Sequence, residues 1–192
     1  MDGLKGERTM EFRKAREEDL DAIAKIYSDI HTAEENGSIC VGWIRDIYPT
    51  KNTARLSLER RDLYVAEDEG RIVGAAIINQ QQVDVYQQAN WKYKANDQEV
   101  MVLHTLVISP MEVRKGYGKR FVEFYEKYAL SHHCRNLRMD TNEKNTKARR
   151  MYQKLGYVES DIIPCVFNGM EGIGLVMLEK RLMDSFDNAQ EN

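Results

Sequence analysis

One segment constrains this chain more than any other. The mostly β-branched and apolar run Glu99 to Ser109 is stopped by Pro110. Gly116-Tyr117-Gly118 follows and opens a run in which Phe121, Phe124, Tyr125 and Tyr128 share one helical face. A strand that turns through two glycines directly into a helix demands a sheet with a helix laid against it. Backbone N–H groups at such a helix start lack intrahelical partners and carry the positive end of the helix dipole, which suits a phosphate or pyrophosphate. Glycine lets a ligand's oxygens approach the backbone with no Cβ in the way. Arg114, Lys115, Lys119 and Arg120 add positive charge. The pattern is not Gly-x-x-x-x-Gly-Lys-Ser/Thr, and Phe121 stands where a third glycine of Gly-x-Gly-x-x-Gly would fall. Nucleotide hydrolysis and dinucleotide binding therefore lose support. Taken alone, the segment is equally an ordinary β-to-α turn.

The remaining elements fall around it. Glu11 to Ala15 reads as a first strand, and Leu20, Ile23, Ala24, Tyr27, Ile30 and His31 mark an amphipathic helix starting near Asp19. A second short helix is expected over Thr53 to Arg60. Leu63 to Glu67 and Ile72 to Ile78 read as strands joined by a tight turn. Gln80 to Gln98 reads as a long loop or irregular strand pair. Leu137 to Asp140 is a buried strand, Asn145 to Leu155 a helix ended by Gly156, and Ile162 to Phe167 with Ile173 to Glu179 a hairpin about Asn168-Gly169. The expected order is β-α-α-β-β-β-α-β-α-β-β, a mixed α/β fold in one domain over residues 10–182, with polar tails at 1–9 and 183–192.

Composition narrows the function classes. Apolar residues are 42% and charged residues 31% of 192, a globular balance. With 28 Lys and Arg against 31 Asp and Glu, net charge is −3, which argues against a generic nucleic-acid binder. No stretch is long and apolar enough to span a bilayer, and the N-terminus has no signal-peptide core, so no membrane partner is expected. Cys40, Cys134 and Cys165 are odd in number and widely spaced, which suggests a reducing, cytoplasmic setting and no metal.

A second segment raises the specificity. In Asn145-Thr146-Lys147-Ala148-Arg149-Arg150-Met151-Tyr152-Gln153-Lys154-Leu155-Gly156-Tyr157, the residues Asn145, Ala148, Arg149 and Tyr152 fall within one helical stripe of about 100°. A flat or extended ligand could lie along that face. This segment resembles the signature N-x-x-A-x-x-x-Y-x-x-x-G-F/Y of the GCN5-related N-acetyltransferases (GNATs). The run Leu106-Val107-Ile108-Ser109-Pro110 followed by Gly116-Tyr117-Gly118 resembles that family's acyl-CoA pyrophosphate loop. Both lie in the family's order and spacing, and the likeness covers roughly Glu11 to Arg181. One position departs: Val113 stands where the family's loop usually has Gln or Arg. Binding there relies mainly on backbone amides, so cofactor binding is expected to survive.

The resemblance implies a GNAT fold and an acetyl-CoA-dependent enzyme. The thioester would lie between the strand at Val102 to Ile108 and the strand at Leu137 to Asp140, paired to backbone in the manner of strand addition. It implies Tyr152 as the acid that protonates the CoA thiolate, and Leu106, Val107, Ile108, Arg114, Lys115, Gly116, Tyr117, Gly118, Lys119, Asn145 and Arg149 as cofactor-binding residues. Strand alternation places Val100, Val102, His104, Leu106 and Ile108 on one face, with His104 a lone titratable group of reference pKa about 6.5. Leu103-His104-Thr105-Leu106 also resembles the corresponding strand of arylalkylamine acetyltransferases, which makes His104 the first candidate base and Glu99 the second. His132 and His133 sit at a helix end and draw no chemistry. Trp43, Tyr48, Tyr86, Trp91 and Tyr93 are candidates for an acceptor pocket.

The reading is an N-acetyltransferase acting on a primary amine, a small molecule in preference to a polybasic tail, because Asn36 to Pro49 and Gln80 to Gln98 carry no acidic run. Three alternatives stay open. They are acetylation of a protein N-terminus or lysine, a non-catalytic acyl-CoA sensor, and the weakly supported nucleic-acid module on the basic run Lys144 to Lys154. Monomer and homodimer fit equally.

Overall fold

The computed structural model describes residues 10–112 and 115–183. Its elements are β1 (Glu11–Lys14), α1 (Leu20–Glu35), α2 (Lys51–Glu59), β2 (Leu63–Asp68), β3 (Arg71–Asn79), β4 (Val100–Ile108), α3 (Tyr117–Ser131), β5 (Asn136–Asn142), α4 (Thr146–Lys154), β6 (Val158–Phe167) and β7 (Met170–Arg181). That order is the expected one. The expected tails, and the call on Val113, lie almost wholly outside the described residues.

Local chemistry sets the element ends. Asn168 and Gly169 take φ 50° and 77°, the pair of positive values that closes a two-residue hairpin with the twist its strands need. Thr50 caps α2 by accepting from the N–H of Thr53. The Gln80–Gln98 segment contains two short 3-10 turns, Asp84–Gln88 and Asp97–Glu99. Glu179, buried on β7, pins it by accepting from the N–H groups of Lys92 and Tyr93 at 2.6 and 3.0 Å.

The strands form one seven-stranded sheet in the order β1-β2-β3-β4-β5-β7-β6. Only β4 and β5 run parallel. On one face, Phe121, Val122 and Tyr125 of α3 and Tyr152 of α4 pack on Tyr64, Met101, Leu103, Leu137 and Met139. On the other, Ile23, Ile26, Tyr27 and Ile30 of α1 cover Val65, Ala75 and Ile77. Tyr86 and Val85 of the 83–95 segment cover Val102, Leu175 and Met177.

At the centre, Tyr125 reaches through to the sheet, where its hydroxyl donates to the carbonyl of Met101 at 2.6 Å and lies 3.2 Å from that of Arg138. It bridges β4 and β5 where their pairing is about to end. Tyr125→Phe leaves those buried carbonyls without this donor and is expected to cost about 1–3 kcal/mol in urea titration.

Candidate active site

The sheet opens at β4. Its ladder with β3 pairs Ile77 with His104 and then Ala75 with Val107, so Thr105 and Leu106 together oppose Ala76. Thr105 takes φ 50°, a left-handed conformation rare for a β-branched residue. This bulge bends the strand and breaks its alternation. The expected single face therefore ends at His104: Val100 and Val102 face one core, while Leu106 and Ile108 pack with Met101 and Leu103 on the α3 side. Val107 turns instead to the α1 side.

The bent half of β4 leaves β5. They pair from Val100↔Asn136 to Leu103↔Met139, after which β5 continues only along β7. Residues 104–108 and 140–142 thus face each other without a ladder, and a cavity of ≈ 500 Å³ occupies the gap. Free backbone groups along such an edge accept an extended ligand arm as they would a strand.

One end of the cavity is built by two helix starts. Gly116, φ 77°, is the N-cap of α3, and no side chain caps that helix. The first intrahelical bond runs from Arg120 N–H to the Gly116 carbonyl at 3.1 Å, which leaves the N–H groups of Tyr117, Gly118 and Lys119 to a ligand. A Cβ on Gly118 would stand 3.2 Å from Met151 Sδ, so α3 and α4 meet closely there. Asn145 caps α4, its Oδ1 accepting from Ala148 N–H at 3.2 Å. Leu106, Val107, Ile108, Gly116, Tyr117, Gly118, Lys119 and Asn145 all line the cavity, as does Lys147, which the sequence reading missed.

Two expected ligand residues, Arg149 and Lys115, are placed otherwise. Arg149 lies at the edge of the α4 stripe, and Glu159 takes its Nε and Nη2 at 2.8 and 2.7 Å, so it ties α4 to β6. Lys115 pairs with Glu112 at 2.6 Å and does not line the cavity. Arg114 lies outside the described residues. Glu99 is also displaced: its carboxylate accepts from Asn96 N–H and Nδ2 at 3.0 and 3.1 Å, capping a 3-10 turn at the far end of β4. Five residues of strand, about 16 Å, separate it from His104.

Tyr152 is buried yet lines the cavity, and its hydroxyl has no hydrogen-bond partner among the described residues. Burial, and then the charge of Asp140, push its pKa well up, so the phenol stays protonated. His104 lines the cavity at the bulge with Nε2 3.1 Å from Asn79 Oδ1. Asn79 is oriented by Asp62, which accepts from its Nδ2 at 2.8 Å and is itself held by Arg60 Nε at 3.0 Å. Because an amide oxygen only accepts, Nε2 carries the proton of the neutral ring. Burial pushes the His104 pKa down to about 4.

Asp140 enters the gap from β5. Tyr86 Oη donates to its Oδ2 at 2.8 Å, while Oδ1 makes no hydrogen bond with the described residues. Burial pushes this carboxyl up to about 6 against the opposing Tyr86 bond. The sequence reading treated Asp140 only as the end of a strand. Its one visible signal is a carboxylate at alternation with Arg138, directly after the apolar Met139.

The other end of the cavity is apolar and aromatic. Ile30, Ile39, Val41, Trp43 and Tyr48 form one wall, and Phe167 and Asn168 of the β6–β7 turn another. Trp43 and Tyr48 stand edge-to-face at 6.1 Å, and the Tyr48 hydroxyl bonds Thr105 Oγ1. Tyr86, Trp91 and Tyr93 do not line this pocket; Tyr86 and Trp91 pack edge-to-face at 5.2 Å to cover the core. The wall between α1 and α2 is pinned by Glu34, which accepts from Val41 and Gly42 N–H at 2.6 and 3.0 Å. Glu34→Ala is expected to raise the acceptor KM about tenfold with the acetyl-CoA KM unchanged, for a loss of about 1–2 kcal/mol.

A sheet split between two parallel strands, with uncapped helix amides at one end of the gap, defines an acyl-carrier-dependent transferase. The chain belongs to the acetyltransferase (GNAT) family, whose model matches residues 20–157. It is an N-acetyltransferase that uses acetyl-CoA. YhfO of Bacillus subtilis (strain 168), described as an uncharacterized N-acetyltransferase, is 24% identical over 152 residues, covering 78% of this chain and 91% of YhfO. A GNAT-family acetyltransferase structure from Streptococcus agalactiae 2603 superposes with TM-score 0.75 at 21% identity, covering 91% of this chain and 96% of that one. The structure of yncA from Salmonella typhimurium, solved with its cofactor acetyl-CoA, superposes with TM-score 0.66 at 18% identity, covering 92% and 95%.

Proposed function

We propose that the acceptor is a small-molecule primary amine. One observation carries this: the cavity of ≈ 500 Å³ is lined at its acceptor end by the apolar and aromatic side chains of Val41, Trp43, Tyr48 and Phe167. A volume of that size fits a small ligand.

The residues present suit acetyl-CoA. The N–H groups of Tyr117, Gly118 and Lys119 would hold the pyrophosphate, Lys119 and Lys147 would add charge, and the free edge of β4 at Leu106 to Ile108 would pair with the pantetheine arm. Asn145, with Oδ1 used in its cap, has Nδ2 to offer. Bound acetyl-CoA supplies an activated acetyl group, whose C–S bond breaks as the amine nitrogen forms the C–N bond. Tyr152 is the proton donor to the departing sulfur, since its phenol is protonated, makes no hydrogen bond with the described residues and lines the gap. His104 is a weaker base than the sequence suggests. With a pKa near 4 its ring stays neutral and would hold a proton only in transit.

Cys40, Cys134 and Cys165 are free thiols, in keeping with a cytoplasmic setting, and no helix among the described residues is long and apolar enough to cross a membrane. Thermal unfolding with and without acetyl-CoA, followed by thiol release with pooled small amines and with peptides, tests the reading. Ligand at about 100 times Kd adds roughly 2.7 kcal/mol. Release with small amines supports it, and release with peptides alone overturns it.

A further inference from the structure

We propose that Asp140 receives the ammonium group of the acceptor, and that the apolar pocket beside it selects monocationic amines that carry no carboxylate. This rests on the small-amine reading and names the class of amine. Asp140 stands in the gap between β4 and β5 with one oxygen committed to Tyr86 and the other without a partner among the described residues. A buried carboxylate is costly unless a cation meets it. No cation of the described residues does so. Arg138, two residues earlier on the same face, stacks over Trp91 at 4.3 Å and donates to Gln82 and to the Tyr93 carbonyl. Arg60 is held by Asp62, and the cavity's lysines, Lys119 and Lys147, stand at the helix end.

The groups that do face Asp140 are uncharged: Tyr86 from the 83–95 segment, Tyr48 before α2, Tyr152 on α4 and Cys165 on β6. The raised pKa of Asp140 is what such surroundings produce, and an entering ammonium would restore its charge. An amino acid would bring its own carboxylate next to Asp140 and against Trp43, Val41 and Phe167, where no Lys or Arg of the described residues lines the wall to pair with it. An amine with an apolar body leaves nothing unpaired. Moving one ammonium proton to Asp140 turns the ion pair into a neutral amine and a neutral carboxylic acid, which frees the nitrogen lone pair for attack.

The test is thiol release by the wild-type protein with acetyl-CoA and matched pairs that differ only in the carboxylate: phenethylamine against phenylalanine, and pentylamine against norleucine. A peptide with a free N-terminus is the third arm. The amines are expected to exceed their amino acids in kcat/KM by about 100-fold or more. Asp140→Asn, which keeps the shape and an acceptor for Tyr86, is expected to raise the amine KM at least tenfold, leave the acetyl-CoA KM unchanged, and abolish the fall in amine affinity below pH about 6. Amino acids that match or outperform the amines overturn the inference alone. So does an Asp140→Asn variant with unaltered amine KM and pH profile. Turnover confined to the peptide overturns the small-amine reading and the inference with it.

Discussion

Tyr152→Phe is expected to lower kcat by about 100-fold or more while the KM for acetyl-CoA moves less than twofold. The expectation rests on where the hydroxyl lies. Tyr152 is 6% exposed, its ring packs edge-to-face on Tyr157 at 6.0 Å, and its hydroxyl has no hydrogen bond with the described residues. The hydroxyl borders the cavity, where a ligand can meet it. Phenylalanine fills the same volume, so no core cavity forms and the change in unfolding free energy stays within about 1 kcal/mol. What disappears is the proton donor proposed for the leaving sulfur, and general-acid assistance is worth about 10²–10⁴ in rate. Burial and the nearby Asp140 charge keep the phenol protonated, so the wild-type profile should show no alkaline loss of this donor across the assay range. Steady-state kinetics on the wild type and the variant decides it. An unchanged kcat assigns Tyr152 to packing alone.

The order of elements was legible because its punctuation is local. Pro110 stops a strand, Gly116 supplies a positive φ at a helix start, and Asn168-Gly169 closes a hairpin, and none of these depends on what the segment packs against. The glycine loop was legible for the same reason, because its chemistry lies in its own backbone, and the Asn145–Tyr152 stripe because helical spacing alone sets which of its side chains share a face. What the sequence hid depends on neighbours. Alternation along β4 fails at Thr105 because tertiary contacts hold a β-branched residue at φ 50°, against its own preference. Arg149 has the right position on α4, yet a long side chain follows its strongest partner, which is Glu159 on β6. Glu99 reads as a free carboxylate until Asn96 takes it as a cap. Asp140 was hidden most deeply. Only the parting of β4 from β5 gives it a cavity, and only Tyr86, 54 residues away, gives it a partner.

That burial has a second consequence, which separates function from stability. A carboxyl whose pKa lies near 6 in the folded chain and 3.8 as its reference value is protonated in both states below pH 4 and contributes no pH dependence there. Between pH 4 and 6 the unfolded chain ionises first, so folding loses stability as pH rises. Above pH 6 the full cost is present; since Asp140 lies on the cavity wall and is only partly buried, it amounts to about 1–3 kcal/mol. Asp140→Asn removes the ionisable group while keeping an acceptor for Tyr86. The variant is therefore expected to unfold at a temperature about 2–10 °C higher than wild type at pH 8, with the gap closing toward pH 4. Calorimetry across that range checks it, and a variant no more stable than wild type at pH 8 would place the Asp140 carboxylate in a well-solvated or well-paired environment. A gain in stability coupled to a raised amine KM is the signature of a charge kept at a structural cost because a cationic ligand needs it.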